Sequence, residues 1–238
     1  KSYFEFLEKG QLVYKDAADI DFIGLEDGTT AGEAFNSAGE RGNLLQESGT
    51  YAPSSVTSAK FNYEIDIDKS TIFWEGEKIT GSHDGLIDLY SGLIIADGKN
   101  ILDASFIIDM NTIKNTDILN DKYKSYLEDH LKSDDFFDVI NFPFSYINLL
   151  EISKIENNPS GTHVFICDLT IKGITNKIEI PVKFSVLNNS ALATGTAIVD
   201  RSIYDIKYKS ESFFPDIGDK LIYDEFIINF NIVAKRLW

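Results

Sequence analysis

The chain has 238 residues and carries 22 Lys+Arg against 38 Asp+Glu, a formal charge of −16. So acidic a surface repels phosphate backbones and argues against nucleic acid as a partner, or anionic lipid reached through a basic patch. With 43% hydrophobic and 13% aromatic residues it is not a disordered acidic chain, and its single cysteine, Cys167, rules out an internal disulfide framework and a Cys-rich zinc site. No apolar run approaches the ~20 residues that span a bilayer. The first residue is Lys1 rather than Met, and the simplest reading is that a leader has been removed.

Residues 1–60 differ in texture from the rest. They hold Gly24, Gly28, Gly32, Gly39, Gly42 and Gly49 among small residues, a density that suits loops and turns. Only Gln11–Tyr14 and Ile20–Ile23 read as strands. The segment is too poor in apolar periodicity to hold a core, and is expected to pack on the main domain or to be partly mobile. Residues 61–238 form the second domain.

From Phe61 the pattern turns to period two, the mark of strands with one buried face. Phe61, Tyr63, Ile65 and Ile67 alternate with polar residues. Strand candidates follow at Thr71–Thr80, Gly85–Ala96, Leu102–Met110 and Phe144–Ile152. Phe165, Cys167, Leu169 and Ile171 share one face. So do Ile178, Ile180, Val182, Phe184 and Val186; Thr194–Arg201 follows, and Phe226, Ile228, Phe230, Ile232 and Ala234 mark the last strand. Turn signals separate them: Asp97–Asn100, Asn157–Gly161, Lys172-Gly173 and Asn188-Asn189. Such a succession predicts an all-β, closed antiparallel barrel of about eight strands. One stretch breaks the rhythm. Leu119, Tyr123, Tyr126, Leu127 and Leu131 recur at helical spacing, predicting one inserted amphipathic helix over about 118–131, capped by Thr116 or Asp117 and ended by Ser133-Asp134-Asp135. A lone helix in such a chain covers a barrel opening or packs on a sheet face.

Chemistry-bearing patterns are few. His83, His130 and His163 share no motif, and no phosphate-cradling loop, nucleophile elbow or dinucleotide fingerprint is present. Asp66-Ile67-Asp68-Lys69-Ser70 with Glu77 has calcium-loop spacing, but Thr71 stands where that loop needs Gly. Cys167 lies on an apolar strand face and reads as an inert buried thiol. No catalytic residue, metal or cofactor is expected.

The informative feature is the interior. Strand parity turns inward Ile65 and Trp74, then Ile87, then Phe106 and Ile108, then Ile147. Further along come Leu169 and Ile171, then Ile180, Val182 and Phe184, and finally Phe226, Ile228 and Phe230. Phe136 and Phe137, just after the helix, are a candidate gate or plug. Eight strands lie at the boundary between a barrel filled by its own side chains and one holding a slender ligand, and composition leaves both open.

Five segments carry a resemblance. Asp129-His130-Leu131-Lys132-Ser133-Asp134-Asp135-Phe136-Phe137-Asp138 with Asn141-Phe142-Pro143 is one, and Asp168-Leu169-Thr170-Ile171-Lys172-Gly173-Ile174-Thr175 is another. Asp200-Arg201-Ser202-Ile203-Tyr204-Asp205-Ile206, Ile222-Tyr223-Asp224-Glu225-Phe226-Ile227-Ile228, and Trp74 with His83-x-Gly85 complete the set. In this order, over about Phe61–Arg236, they resemble the YceI-like family, the polyisoprenoid-binding proteins of bacteria. The resemblance implies a lipocalin-like barrel with an inserted helix. It also implies an internal pocket for a long apolar chain: a polyisoprenoid, an isoprenoid quinone or a fatty-acid-like lipid. A periplasmic or extracellular location follows, in some members as a lipoprotein. The chain departs from the family at Gly85–Tyr90, where a glycine-and-aromatic strand is usual, and residues 1–60 lie outside the likeness. The function expected is non-catalytic lipid binding, storage or transport, with a homodimer possible. Two rivals stand beside it. One is an interaction or stress protein with a solid barrel. The other is a lipid-acting enzyme, which needs a polar constellation converging inside, for example His83 or Asp109 with Arg201.

Overall fold

The computed structural model describes residues 59–154, 163–214, 216 and 218–238, with two short strands nearer the N-terminus. The chain divides into two compact units, residues 1–56 and 57–238. In the first, β1 (Tyr3–Phe6) pairs antiparallel with β2 (Leu12–Lys15). The strand read at Gln11–Tyr14 is thus present one residue later, and Tyr3–Phe6 is its unforeseen partner. The strand read at Ile20–Ile23, the expected packing of residues 1–60 and the turn at Asn157–Gly161 fall outside the described residues.

The second unit is a barrel. Its strands are β3 (Lys60–Ile65), β4 (Thr71–Lys78), β5 (Gly81–Asp97), β6 (Asn100–Asn115), β7 (Phe144–Lys154), β8 (His163–Ile171), β9 (Ile174–Val186), β10 (Ser190–Asp200) and β11 (Ile222–Arg236). Each pairs antiparallel with its neighbour, and β10 meets β11 along its whole length to close the sheet. Nine strands make eight staves, because β3 and β4 lie end to end between the same neighbours, β5 and β11. Closure removes the free edges that an open sheet of this size would expose.

The break between β3 and β4 corrects the reading of Phe61–Ile67 as one strand. After Ile65 the chain leaves the ladder, and Ile67 is exposed. The amides of Lys69 and Ser70 both donate to Asp66 O. The Ser70 hydroxyl donates to Asp66 O at 2.8 Å and accepts from the Val233 amide at 3.0 Å, so one side chain stands in for a missing rung. Hydrogen bonding from Lys235 at 2.7 Å, aided by Lys69 at 3.4 Å, holds the Asp66 carboxyl below the usual range. The calcium-like spacing therefore builds a bulge closed by ammonium groups.

Tight turns set the other registers. Lys172 and Gly173 both take positive φ, 50° and 73°, the twist a two-residue hairpin needs between β8 and β9. Tyr90 is an extra residue in β5, where Leu89 faces Ile108 but Ser91 faces Ile107. The inward set therefore switches from His83, Gly85, Ile87 and Leu89 to Ile94 and Ala96.

The helix, α1, spans Asp121–Lys132 rather than about 118–131. Asn120 caps it, accepting from the Lys122 and Tyr123 amides, so the expected caps Thr116 and Asp117 serve elsewhere. The shift follows from Asn115. Fully buried, it accepts from the Ile118 amide, donates to Asp84 O, and through its own amide bonds Glu128 of the helix. That knot holds 115–118 in a turn and postpones the helix by three residues. Leu119, Tyr123 and Tyr126 point to solvent; Leu127 and Leu131 are the helical residues that reach the barrel interior. Among the described residues no helix is long and apolar enough to cross a membrane.

Candidate functional site

The barrel interior is not uniform. At the end opposite α1 it is solid. Tyr63, Ile94, Ala96, Ala191 and Ala234 are each at most 1% exposed and pack with Ile65, Ile101, Ala104 and Val186. None of these nine lines the cavity at the other end. The α1 end encloses a cavity of about 270 Å³. A single water needs roughly 10–15 Å³ measured this way, so the hollow is far larger than a solvation defect. Its wall is aliphatic and aromatic almost throughout. Trp74, Phe106, Ile108, Ile147, Phe226, Ile228 and Phe230 face inward yet stay half-exposed, because their inner surfaces look onto the void.

Two features of sequence keep this end open. The inward residues of β10 are small, with Ala193, Gly195 and Ala197 on the cavity side, so one stave fills almost none of the lumen. Glycines also seat the large rings flat against the wall. Gly85 is the cross-strand partner of Trp74, and a Cβ there would come within 2.6 Å of the indole. Gly195 partners Phe230 in the same way, at 2.6 Å. The Trp74 indole N–H donates to Leu86 O at 3.3 Å, which fixes the ring over its glycine.

Twelve of the fourteen residues read as wall line the hollow: Trp74, Ile87, Phe106, Ile108, Ile147, Leu169, Ile171, Ile180, Val182, Phe226, Ile228 and Phe230. Ile65 and Phe184 do not. Ile65 belongs to the solid end, and Phe184 stacks on His163 and Phe165 at 4.6 and 5.5 Å between ring centres. Phe136 and Phe137 both border the cavity from below the helix. Phe136 is buried, ringed by His130 at 5.0 Å and Tyr208 at 5.4 Å, while Phe137 meets Phe226 edge-on at 6.3 Å. Wall residues beyond the sequence reading include Ile72, Leu89, Met110, Ile113, Phe165 and the small residues of β10. Ile72, Leu89 and Phe165 lie on alternations already visible; Met110 and Ile113 straddle an irregularity in β6 that hides their common face.

Polar groups at the hollow fall into two sets. Those inside are engaged by the protein. Ser145 donates to Met110 Sδ at 3.0 Å. Arg201 is 4% exposed and spends its whole fork. Nε donates to Tyr223 O, Nη1 to Ile206 O and Tyr208 O, and Nη2 to Ile222 O, with Asp224 at 3.3 Å. It ties the 3₁₀ turn Arg201–Tyr204 to the start of β11. Burial lowers its pKa, and the charges of Asp224 and Asp200 oppose that shift. Burial likewise pushes the Cys167 thiol up to about 12, helped by the charge of Asp168.

The second set rims the mouth: Glu77, Lys78, His83, Tyr223 and Glu225. His83 Nδ1 lies 2.9 Å from Asp117 Oδ2. Partial burial opposes charge on Asp117, but hydrogen bonds from His83, Asn115 and the Asp84 amide outweigh it and hold the carboxyl below its usual range. Asp109 does not reach the cavity; its carboxylate accepts from Asn111. Asp109 thus does not join Arg201 at the cavity, whereas His83 and Arg201 both border it. Among the described residues no group of three or more His, Cys, Asp or Glu is placed to hold a metal ion.

The sequence pattern of the YceI-like domain matches residues 63–234, well over half of the chain. Two solved structures have similar folds. One is BcnA of Burkholderia cenocepacia, at 19% identity and a TM-score of 0.55, covering 71% of this chain and 99% of that one. The other is a polyisoprenoid binding domain from Saccharophagus degradans implicated in plant cell wall breakdown, at 12% identity and a TM-score of 0.52, covering 74% and 99%. At these identities the likeness is one of fold. Among curated proteins none matches.

Proposed function

The chain belongs to the YceI-like family, and from that membership and its half-hollow barrel we propose that it binds and carries one slender apolar lipid without transforming it. The observation that supports this reading most is the void at the α1 end, walled by hydrocarbon and floored by packed side chains. A long apolar chain in water leaves about 25 cal/mol unrecovered for each Å² of exposed surface. Seating it in a preformed apolar pocket recovers that free energy without directed bonds, and selects by length and bore. The solid end makes the hollow a blind pocket rather than a tunnel, so the chain enters tail first. From His83 to Leu89 β5 advances six residues, roughly 20 Å at strand spacing, which sets the reach of an extended tail. A polyisoprenoid, an isoprenoid quinone or a fatty-acid-like chain fits this description. The family likeness favours work outside the cytoplasm, in the periplasm or beyond.

The test is an inventory of small molecules released by organic extraction from protein purified from its native host, read by mass spectrometry. One lipid class near one molecule per chain is expected. Protein that releases none, and does not take up a fluorescent apolar probe afterwards, overturns the carrier reading.

A further inference from the structure

Polar groups inside the hollow are consumed by the protein, but two at its mouth, Lys78 and His83, keep an atom with no partner among the described residues. Lys78 ends β4 and His83 stands near the start of β5, on the two arms of one hairpin and both bordering the cavity. Gly76 is the cross-strand partner of His83, and a Cβ there would meet nothing within 4 Å, so open space lies before the imidazole. Asp117 sits on the other side of the ring, 2.9 Å from Nδ1. An ionised carboxylate only accepts, so Nδ1 carries the proton, and when the ring is neutral Nε2 presents a lone pair. Among the described residues neither Nε2 of His83 nor Nζ of Lys78 has a protein partner. With the ring neutral, one acceptor and one donor therefore share the rim of an apolar pocket.

We infer that His83 and Lys78, with Asp117 fixing the ring and Gly76 leaving room, form the head-group site for a lipid alcohol. Its hydroxyl donates to His83 Nε2 and accepts from Lys78 Nζ. A hydroxyl meets both demands at once. A carboxylate satisfies Lys78 but brings no proton for Nε2, and a carboxylate or phosphate alike meets the carboxylates of Glu77 and Glu225 on the same rim. A bare hydrocarbon bonds neither group and leaves both to water. The inference rests on the carrier reading and narrows it to neutral, hydroxyl-bearing chains.

Displacement of N-phenyl-1-naphthylamine from the delipidated full chain tests it, with geranylgeraniol, its methyl ether and geranylgeranoic acid as competitors. The ether keeps the oxygen acceptor and loses the proton, so the alcohol-to-ether ratio reads the bond to Nε2. The alcohol is expected to compete about tenfold better than the ether, as one hydrogen bond allows, and better than the acid. In His83→Ala the ratio falls to near one while ether affinity is kept, which also shows that the variant folds. Lys78→Ala weakens alcohol and ether together. An acid that outcompetes the alcohol, or a ratio unchanged in His83→Ala, overturns the inference and leaves the carrier reading standing. If neither the probe nor any of the three chains binds, both fall.

Discussion

The two ends of the barrel share eight staves and the same alternating pattern, yet one is solid and the other hollow. The difference lies in side-chain volume. At the solid end Tyr63, Ile94, Val186 and Ile65 meet across the axis, and the alanines Ala96, Ala104, Ala191 and Ala234 sit where those larger groups need room. At the hollow end the small residues of β10 face no bulky partner that crosses the lumen, because Trp74 and Phe230 lie down on glycine. A barrel of this size is thus filled or emptied stave by stave, and the change falls partway along continuous strands. Stability and binding are divided accordingly.

The largest effect expected is on stability at the solid end. Ile94→Ala removes a side chain with packing on every side and is expected to cost about 3 kcal/mol in urea unfolding. Ile228→Ala, at a half-exposed position on the void, is expected to cost well under half of that, since it gives up fewer contacts. Equal losses at the two positions would mean that the void closes in solution. Next comes binding. Ala197→Phe projects a ring from the small stave into the hollow and is expected to weaken uptake of an apolar probe at least tenfold while stability stays within about 1 kcal/mol, because the ring fills space rather than displacing packed groups. Unchanged uptake would remove β10 from the wall.

Acid sharpens the comparison further. Burial opposes ionisation of Asp224, but hydrogen bonds from Ser210 and Ser212 and the charge of Arg201 prevail and lower its pKa. Asp117 behaves alike. A carboxyl lowered in the folded state contributes stability that is present above its unfolded value, near 3.8, and is lost as pH falls through the folded value. Stability is expected to decline below about pH 4. The decline should be shallower in Asp224→Asn, which cannot take up that proton. Both carboxylates frame the hollow end, so hydrogen exchange at the start of β11 and around Asn115 is expected to rise before exchange at the fully buried Ile94 and Ala96 of β5. The reverse order would make Asp66, held low by Lys235 at the β3–β4 bulge, the contact that fails first.

Much of this barrel is legible in the sequence. Alternation in Phe165–Ile171, Ile178–Val186 and Phe226–Ala234 names both strands and inward faces, because one face is buried along the whole length. The mouth and the boundary of the hollow are not legible, for reasons the residues make plain. Ala193, Gly195 and Ala197 alternate as faithfully as their neighbours but carry too little side chain to look like a wall. Tyr90 switches the parity of β5 without any local signal. Ile65 and Phe184 have the correct parity, but whether a side chain lines a void depends on the volume opposite, which no single strand records. His83 and Asp117 meet across 34 positions of sequence through the Asn115 knot, and that knot also delays the helix past Ile118 and Leu119.

The smallest effect concerns Cys167, which borders the hollow between Phe165 and Leu169 on β8. Its thiol is pushed up to about 12 by burial and by Asp168, so thiolate is scarce even in mildly alkaline buffer. Native protein at pH 8 is expected to react with iodoacetamide about a thousandfold more slowly than urea-unfolded protein, measured as the mass increment of the peptide containing Cys167. Cys167→Ala is expected to change stability by less than about 1 kcal/mol, since the sulfur faces partly onto empty space. The slow reaction is the informative part. A hollow filled with mobile water would hydrate the exposed part of the sulfur and raise its labelling above that of a fully packed thiol. Protection of Cys167 without bound lipid is what its burial on an apolar wall requires, and ready labelling would remove the packed, dry face of β8 on which the gain from seating a hydrocarbon tail depends.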